Sequence, residues 1–479
     1  MTMYPFTTSI NNQLHQIGLA LLKTATKFSR KNSASAMKSP GTVSSFVMNA
    51  SYTVVFLLLT AVQVKASAPD SVDYFSTNDL RYEDRVYVKN IKTAQLSSNE
   101  NVLVPPIIQL NAEDTLFLTF DDLDGDRKNY SYSIVHCTAS WEPSNILTSE
   151  YLDGFVQNPI TDYHFSRGTI QQYTHYSLMF PNDDVKLLKS GNYLLKVFTD
   201  NDEDKIVLTK RFMVYEEKVT VEPFVHSATT VADTRYKQEV DFTLNYNPAE
   251  IANPYAEIKP VILQNYRWDN AITGLQPQFL KDQQLVYDYD DVNVFSGGNE
   301  FRWFDTHNLR LNSEHVDHIW KDSTNTYHVQ LLPDERRSYK SYVTNSDIDG
   351  SYLVRTTEGT GGPTDAEYCW VHFFLPWAPP LTDGNLYLFG AFCDWQCRPD
   401  CRMTYNYGKR GYEASIYLKQ GYYNYEYVFL KDNAKSADDV LVEGMHQETE
   451  NSYLILVYYR RQGALTDELV GLKQTSSRR

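Results

Sequence analysis

Asn192–Phe198 reads NYLLKVF and Ile206–Tyr215 reads IVLTKRFMVY, and the acidic turn TDNDEDK joins them. Both runs are rich in β-branched and aromatic residues and carry no helical stripe, so the pair reads as a β-hairpin. Upstream, Arg85–Ile91 (RVYVKNI), Thr115–Phe120 (TLFLTF) and Tyr130–Cys137 (YSYSIVHC) have the same strand character. The connection DDLDGDRKN between the last two looks like a calcium loop at a glance. Its glycine falls out of register for an EF-hand, and a hairpin turn is the better reading. Short strands separated by polar turns predict a β-sandwich.

The pattern continues outward. VTVEPFV (Val219–Val225), EVDFTLNY (Glu239–Tyr246), IKPVILQN (Ile258–Asn265), LVYDYDDVNVF (Leu285–Phe295), NEFRWF (Asn299–Phe304) and YHVQLL (Tyr327–Leu332) form a second set. A polar stretch over Arg336–Ser351 suggests a boundary. Six more strands follow, at Tyr352–Thr356, Tyr368–Leu375, Asn385–Phe389, Tyr412–Leu418, Tyr422–Phe429 and Ser452–Tyr459. Helical periodicity is scarce throughout. The expected fold is all-β, as tandem immunoglobulin-like or early-set sandwiches. The expected boundaries are 1–68 for a leader, then sandwich domains at 69–218, 219–345 and 346–479.

Charge is divided unevenly. Residues 1–68 carry six Lys/Arg and no Asp/Glu, and the remainder holds 38 basic and 60 acidic residues, a net of −22. A body so acidic argues against nucleic-acid binding, which needs basic patches for the phosphates. In the basic leader, YTVVFLLLTAV (Tyr52–Val62) has the length of a signal-peptide core and is short for a bilayer span. Small residues follow at Ala66, Ser67 and Ala68, and no cysteine sits there for lipid attachment. The stretch before the apolar run is long for a signal peptide, so translation from Met37 or Met48 is expected.

Motifs that carry chemistry are scarce in the sequence. No G-x-S-x-G elbow, H-E-x-x-H pair or phosphate-cradling glycine loop is present. The eleven histidines are dispersed, and His136, His164 and His175 read as structural hydrogen bonders beside aromatics. No cofactor, small-molecule substrate or metal is implied. The five cysteines are Cys137, Cys369, Cys393, Cys397 and Cys401. Cys137 reads as a buried strand thiol. The other four leave one disulfide, free thiols or a metal open, with a metal the least expected in an exported protein. The expectation is a protein that is not an enzyme.

In the last third, NLYLFGAFCDW (Asn385–Trp395) and GYYNYEY (Gly421–Tyr427) resemble the early-set sandwiches of the glycogen-binding type. Trp395, Tyr423 and Tyr425 are therefore candidates for stacking on sugar rings. This gives the alternative reading, a carbohydrate-binding envelope protein. The competing reading of these aromatics is core packing, and fold likeness carries no function by itself.

A wider resemblance spans roughly Tyr82 to Gly471. It rests on YLDGF (Tyr151–Phe155), ITDY (Ile160–Tyr163), YTHY (Tyr173–Tyr176), FPN (Phe180–Asn182), SGNY (Ser190–Tyr193), KQGYYNY (Lys419–Tyr425), Glu443-Gly444, ETEN (Glu448–Asn451) and VYYR (Val457–Arg460). These motifs are similar to those of the plug-protein family of type IX secretion. The Cys393–Cys401 stretch departs from that pattern. The resemblance implies a periplasmic, non-catalytic protein peripheral to the outer membrane of Bacteroidetes-type bacteria. It implies docking on the periplasmic end of a giant outer-membrane β-barrel, whose channel it closes. The aromatic segment of the first domain then supplies candidate contacts: Tyr151, Asp153, Phe155, Tyr163, Tyr173 and Tyr176. Aromatic side chains in a segment broken by Asn, Asp, Gly and Pro suit an interface, and a loop folded back to cover its own sandwich core is the equal alternative.

Signal-peptide cleavage is expected after Ala66, before Ser67. A cut after Ala68 would place Pro69 first, and its ring lacks the N–H and fixes the backbone. N-terminal sequencing of the mature protein checks this, and a mature start upstream of Tyr52 would refute it.

Overall fold

A computed structural model describes residues 79–478. The leader, its apolar run and the Ala66–Ser67 junction lie outside the described residues. The described chain is all-β, with one short α-helix at Pro254–Glu257 and three 3₁₀ turns. Among the described residues no helix is long and apolar enough to cross a membrane.

The hairpin of Gly191–Thr199 and Ile206–Tyr215 lies at the heart of the first sandwich. Tyr130–Cys137 pairs along the outer side of Gly191–Thr199, with Leu194 opposite Val135 and Leu195 opposite Ile134. The facing sheet runs Ile91–Ser98, Leu116–Asp122, Thr174–Phe180, Asp162–Phe165. Alternation turns Leu118, Phe120, Tyr176, Tyr193, Leu195, Val197 and Phe212 into the core between the sheets. Gly191 has φ +140°, and a Cβ there would lie 2.6 Å from His136 Nε2. That close approach lets His136 bury itself, with Nε2 3.3 Å from the Ser190 carbonyl and Nδ1 2.8 Å from Ser144 Oγ.

The hairpin's other face is buried as well. Leu194 and Met213 join Cys137 and Trp141 against Val261, Leu263, Leu454, Leu456, Tyr458 and Leu469. Those partners belong to a sheet of Ile258–Gln264, Ser452–Tyr459 and Glu468–Ser476. The alternate residues of the same strands, Ile262, Tyr453, Ile455, Val457 and Val470, form the second core with Val240, Phe242, Leu244 and Tyr287. SYLILVYY is therefore apolar on both faces because both faces are covered. Each large side chain buried in this way contributes about 1.5–3 kcal/mol. Tyr458 Oη adds a 2.7 Å bond to Asn192 Oδ1 across the seam.

This arrangement corrects the boundary expected at 345/346. The chain leaves the second sandwich after Val294–Ser296 and builds the third from Arg302–Asp305 through Gly421–Lys431. It then returns to lay Ser452–Tyr459 beside Ile258–Gln264. Arg302–Asp305, placed in the second domain by sequence, pairs with Gly421–Lys431. Tyr327–Leu331 likewise pairs, in parallel, with Tyr368–Pro376. The polar stretch at 336–351 is a connection inside the third unit. Local composition marks such a loop, but it does not report that a strand's partner lies some 190 residues away.

The first and third sandwiches meet through charge. Asp121 is the last residue but one of the strand Leu116–Asp122, and Lys419 ends Gly411–Lys419; both side chains are 0% exposed, and Nζ lies 2.5 Å from Oδ2. Tyr368 Oη donates to the same Oδ2 at 2.7 Å, and His175 Nδ1 lies 2.6 Å from Oδ1. Burial alone would raise the Asp121 carboxyl, but the Lys419 ammonium and the bonds from His175 and Lys419 outweigh it and hold it below its ordinary value. Burial pulls the Lys419 ammonium the other way, below its ordinary value, against the attraction of Asp121. Nearby, Glu367 accepts from the Gln171 amide at 3.1 Å, and Arg167 N donates to Thr364 O at 2.9 Å.

All five cysteines are free thiols. Cys137 lies buried at a strand end, and burial pushes its thiol up to about 12.

Asp121→Asn or Lys419→Met alone should lower the unfolding free energy by about 3–5 kcal/mol, because each strands a buried charge. Asp121→Leu with Lys419→Met should cost less than either single change. Urea unfolding of the three variants checks this, and a double variant weaker than both singles would contradict it. A second expectation concerns acid. Burial lowers the His136 imidazole from 6.5 to about 4. The unfolded chain therefore takes up this proton first, and the stability from neutral His136 is complete above about pH 6.5 and lost as pH falls toward about 4. The full effect is at most about 3 kcal/mol. Melting temperature measured from pH 7 to 4.5 should fall less steeply for His136→Gln than for the parent, and parallel curves would count against it.

Candidate functional site

The segment from Tyr151 to Tyr176 divides into an inner and an outer set. Leu152–Gly154 pairs with Val185–Leu187, placing Gly154 opposite Val185. Gly154 has φ +119°, and a Cβ would fall 1.9 Å from the Asp184 carbonyl oxygen, so the chain can turn outward here only at glycine. Beyond it Phe155 stands 68% exposed and Val156 52% exposed. The tip is nevertheless fastened. Phe155 N donates to Asp184 O at 3.2 Å, Asn158 Nδ2 to Phe155 O at 2.9 Å, and Gln157 Nε2 to Glu203 Oε1 at 2.8 Å. Asp153 is exposed beside it.

Asp162–Phe165 is the edge of its sheet. Tyr163 is half-buried, its ring 5.9 Å from Tyr176 with the Arg127 guanidinium 5.1 Å above it. Phe165 packs 5.7 Å from Tyr163 and stays 50% exposed.

Tyr151, Tyr173 and Tyr176 are buried, and the expectation that their side chains stand at a surface is corrected. Tyr176 points inward by strand alternation and stacks on Phe120 at 5.2 Å; its hydroxyl accepts from Lys128 N at 2.7 Å. Tyr151 Oη donates to Ile134 O at 3.3 Å. Tyr173 Oη lies 2.8 Å from the carbonyls of Pro363 and Ala366, and the Lys419 ammonium sits 4.1 Å over its ring. Tyr173 is thus a tie to the third sandwich. A hydroxyl with a backbone partner makes burial of a tyrosine inexpensive, and residue identity alone does not signal it.

The sugar-stacking candidates are engaged inside the protein as well. Tyr423 stacks between Phe304 and Tyr352, each 5.1 Å away, and donates to Lys419 O at 2.6 Å. Tyr425 is buried and donates to Asp334 Oδ2 at 2.7 Å. Trp395 is half-buried against Phe301 and Phe389, with the Arg267 guanidinium 4.9 Å over its ring. Its remaining edge borders a cleft shared with Trp268 and Tyr266.

The acidic loop has its own cation. Asp122, Asp124 and Asp126 converge, and Lys128 Nζ lies 2.9 Å from Asp122 Oδ2 and also pairs with Asp124. His136 and His175 are held as described, and His164 is an exposed neighbour of Asp162 at 3.7 Å. A face that sequence reasoning did not single out lies on the third sandwich. Trp320 stacks over His328 and His372 at 5.0 and 5.3 Å, and the two imidazoles share a 2.9 Å bond. The signal was present as alternation in VDHIWK and YCWVHFF, whose polar-face positions carry Trp and His.

Comparison with known proteins gives the context. The family description "Type 9 secretion system plug protein 1st domain" matches residues 91–216, the first sandwich. Comparison with curated proteins finds no match. Among solved structures, a hypothetical protein from Parabacteroides merdae is 34% identical, covers 83% of this chain and 100% of its own, and superposes with a TM-score of 0.79. A DNA-bound alkylpurine DNA glycosylase from Pseudomonas fluorescens is 13% identical over 26% of this chain and 30% of its own; its TM-score of 0.16 carries no argument. The plug-domain match over the first sandwich spans the motifs at Tyr151–Tyr193, and the 34% identical relative extends the likeness over most of the chain. The chain belongs to the type IX secretion system plug protein family.

Proposed function

We propose that this protein is a non-catalytic plug, exported to the periplasm and peripheral to the outer membrane. It docks on the periplasmic end of the giant β-barrel translocon of type IX secretion and closes its channel. The plug-domain match over residues 91–216 is the observation that carries this reading. The build of the protein supports it. A plug has to resist deformation, and here the apolar seam of Leu194, Met213, Leu454 and Leu456 and the Asp121–Lys419 pair bind three cores together. The polar groups a catalyst would need free are tied internally: Lys128 to the acidic loop, and the tyrosine hydroxyls to backbone and carboxylates.

The fastened tip of Phe155 and Val156, with Phe165 on the sheet edge, is the docking surface in this proposal. Ordered, exposed aromatics lose little conformational freedom on binding and make effective anchors. The original candidates Phe155, Asp153 and Tyr163 retain exposed surface there, whereas Tyr151, Tyr173 and Tyr176 act through the fold.

Purification of the tagged protein from detergent-solubilised outer membranes should recover a giant barrel protein, and its absence would sink the plug reading. Phe155→Ala with Val156→Ser should melt as the parent does yet bind the barrel roughly thirtyfold more weakly, equivalent to about 2 kcal/mol. Tyr176→Ala should instead lose about 3–5 kcal/mol of folding stability. Unchanged barrel recovery by the tip variant would move the docking surface elsewhere.

A further inference from the structure

The second sandwich brings three metal-ligating side chains together at the end of its outer sheet. Thr220–Ser227 and Lys237–Asn245 pair antiparallel, with His226 directly opposite Glu239. Asp241 lies two residues further along, on the same face of the strand. His226 Nε2 is 2.8 Å from Asp241 Oδ2 and 3.7 Å from Glu239 Oε1. The three ligand atoms all lie within 4.8 Å of one another.

The hydrogen bonds around the cluster fix which atoms face inward. His226 Nδ1 is 2.7 Å from the Ser227 carbonyl oxygen. A carbonyl only accepts, so Nδ1 carries a hydrogen; Nε2 donates to Asp241 Oδ2 at 2.8 Å while no metal is bound, and a metal ion would take the place of that proton. Asn293 Nδ2 donates to Asp241 Oδ1 at 2.9 Å, and Thr229 N donates to Glu239 Oε2 at 2.7 Å. Each carboxylate is therefore tied by its far oxygen, with the near one beside Nε2; Glu239 Oε1 also accepts from Thr229 Oγ1 at 3.3 Å. This is the outer-shell arrangement that orients histidine and carboxylate ligands on a metal. Asn293 is fully buried, and its own Oδ1 finds no donor among the described residues. Two carboxylate oxygens and an imidazole nitrogen thus share one proton in a partly buried corner, and a divalent cation can replace that proton while meeting all three atoms.

We propose that His226, Glu239 and Asp241 form a binding site for a divalent transition-metal cation, with zinc the ion it fits. One imidazole and two carboxylates suit zinc, and three protein ligands leave a fourth position for water. Zinc bonds of about 2.0–2.1 Å to nitrogen and oxygen place tetrahedral ligands about 3.3 Å apart. The observed separations of 2.8 and 3.7 Å bracket that value, so small side-chain rotations complete the site. A bound ion would tie the edge strand Thr220–Ser227 to its neighbour and fasten the loop at 228–236, where Thr229 already reaches back to Glu239. The acidic loop at Asp122–Asp126 is the internal contrast, since Lys128 already supplies the cation there.

The test uses the purified protein without a polyhistidine tag, stripped with a chelator and titrated with zinc chloride. Calorimetry and elemental analysis read the stoichiometry, and thermal unfolding reads the linkage to stability. The parent should bind zinc at this site with a rise in melting temperature. His226→Gln and Asp241→Asn should each bind one equivalent fewer, and Asn293→Ala should bind roughly 10–100-fold more weakly. The two ligand variants act independently, so if one fails to fold the other decides. The face of His328 and His372 is a competing place for zinc, and comparison of equivalents separates it from this site. A parent that binds no zinc, or ligand variants that bind as much as the parent, would overturn the proposal.

Discussion

The fold depends on one constraint: a lysine and an aspartate with no exposed surface have to meet. Lys419 and Asp121 come from strands of different sandwiches, 298 positions apart. Either charge alone in that interior would cost several kcal/mol. The sandwiches therefore dock where the ammonium, the Tyr368 hydroxyl and the His175 ring converge on one carboxylate. At the neighbouring joint, between the first and second sandwiches, apolar area supplies the adhesion through the seam of Leu194, Met213, Leu454 and Leu456. That adhesion has little directional preference. The buried pair supplies the direction, and in this account its role is to specify the docking geometry more than to strengthen it.

The insertion has a mechanical consequence. The third sandwich leaves the second after Ser296 and re-enters it at Ser452, so both of its ends are anchored in one core. The returning strand, Ser452–Tyr459, also lines the seam with the first sandwich. A force on any one unit is shared by the other two through side chains that are already packed. That property suits a protein proposed to stand in the mouth of a wide channel. The excess of acidic over basic residues favours solubility of such a body.

Strands were legible in the sequence because alternation is local. NYLLKVF and SYLILVYY also carried a second message, since their apolar residues occupy both faces and so require cover on both sides. Which segments supply that cover was not legible. The partner of Ile258–Gln264 is Ser452–Tyr459, and no local pattern encodes a separation of that length. The same limit governed the site. Phe155 follows a glycine that forces the chain outward, and its exposure could be anticipated from Gly154. Tyr151, Tyr173 and Tyr176 have the same aromatic character, but backbone partners for their hydroxyls allow them to be buried. The His226 cluster is not legible in the sequence, because its members are neighbours across two strands and the connecting loop hides the spacing.

The central claim is that this protein closes a channel by occupying it. The ionic conductance of the purified giant barrel, reconstituted in a planar bilayer, tests that claim directly. Adding the protein to the periplasmic side should bring an open barrel to a closed level, and washing in the Phe155→Ala, Val156→Ser variant instead should leave it conducting. A barrel that binds the protein and still conducts at its open level would contradict the account.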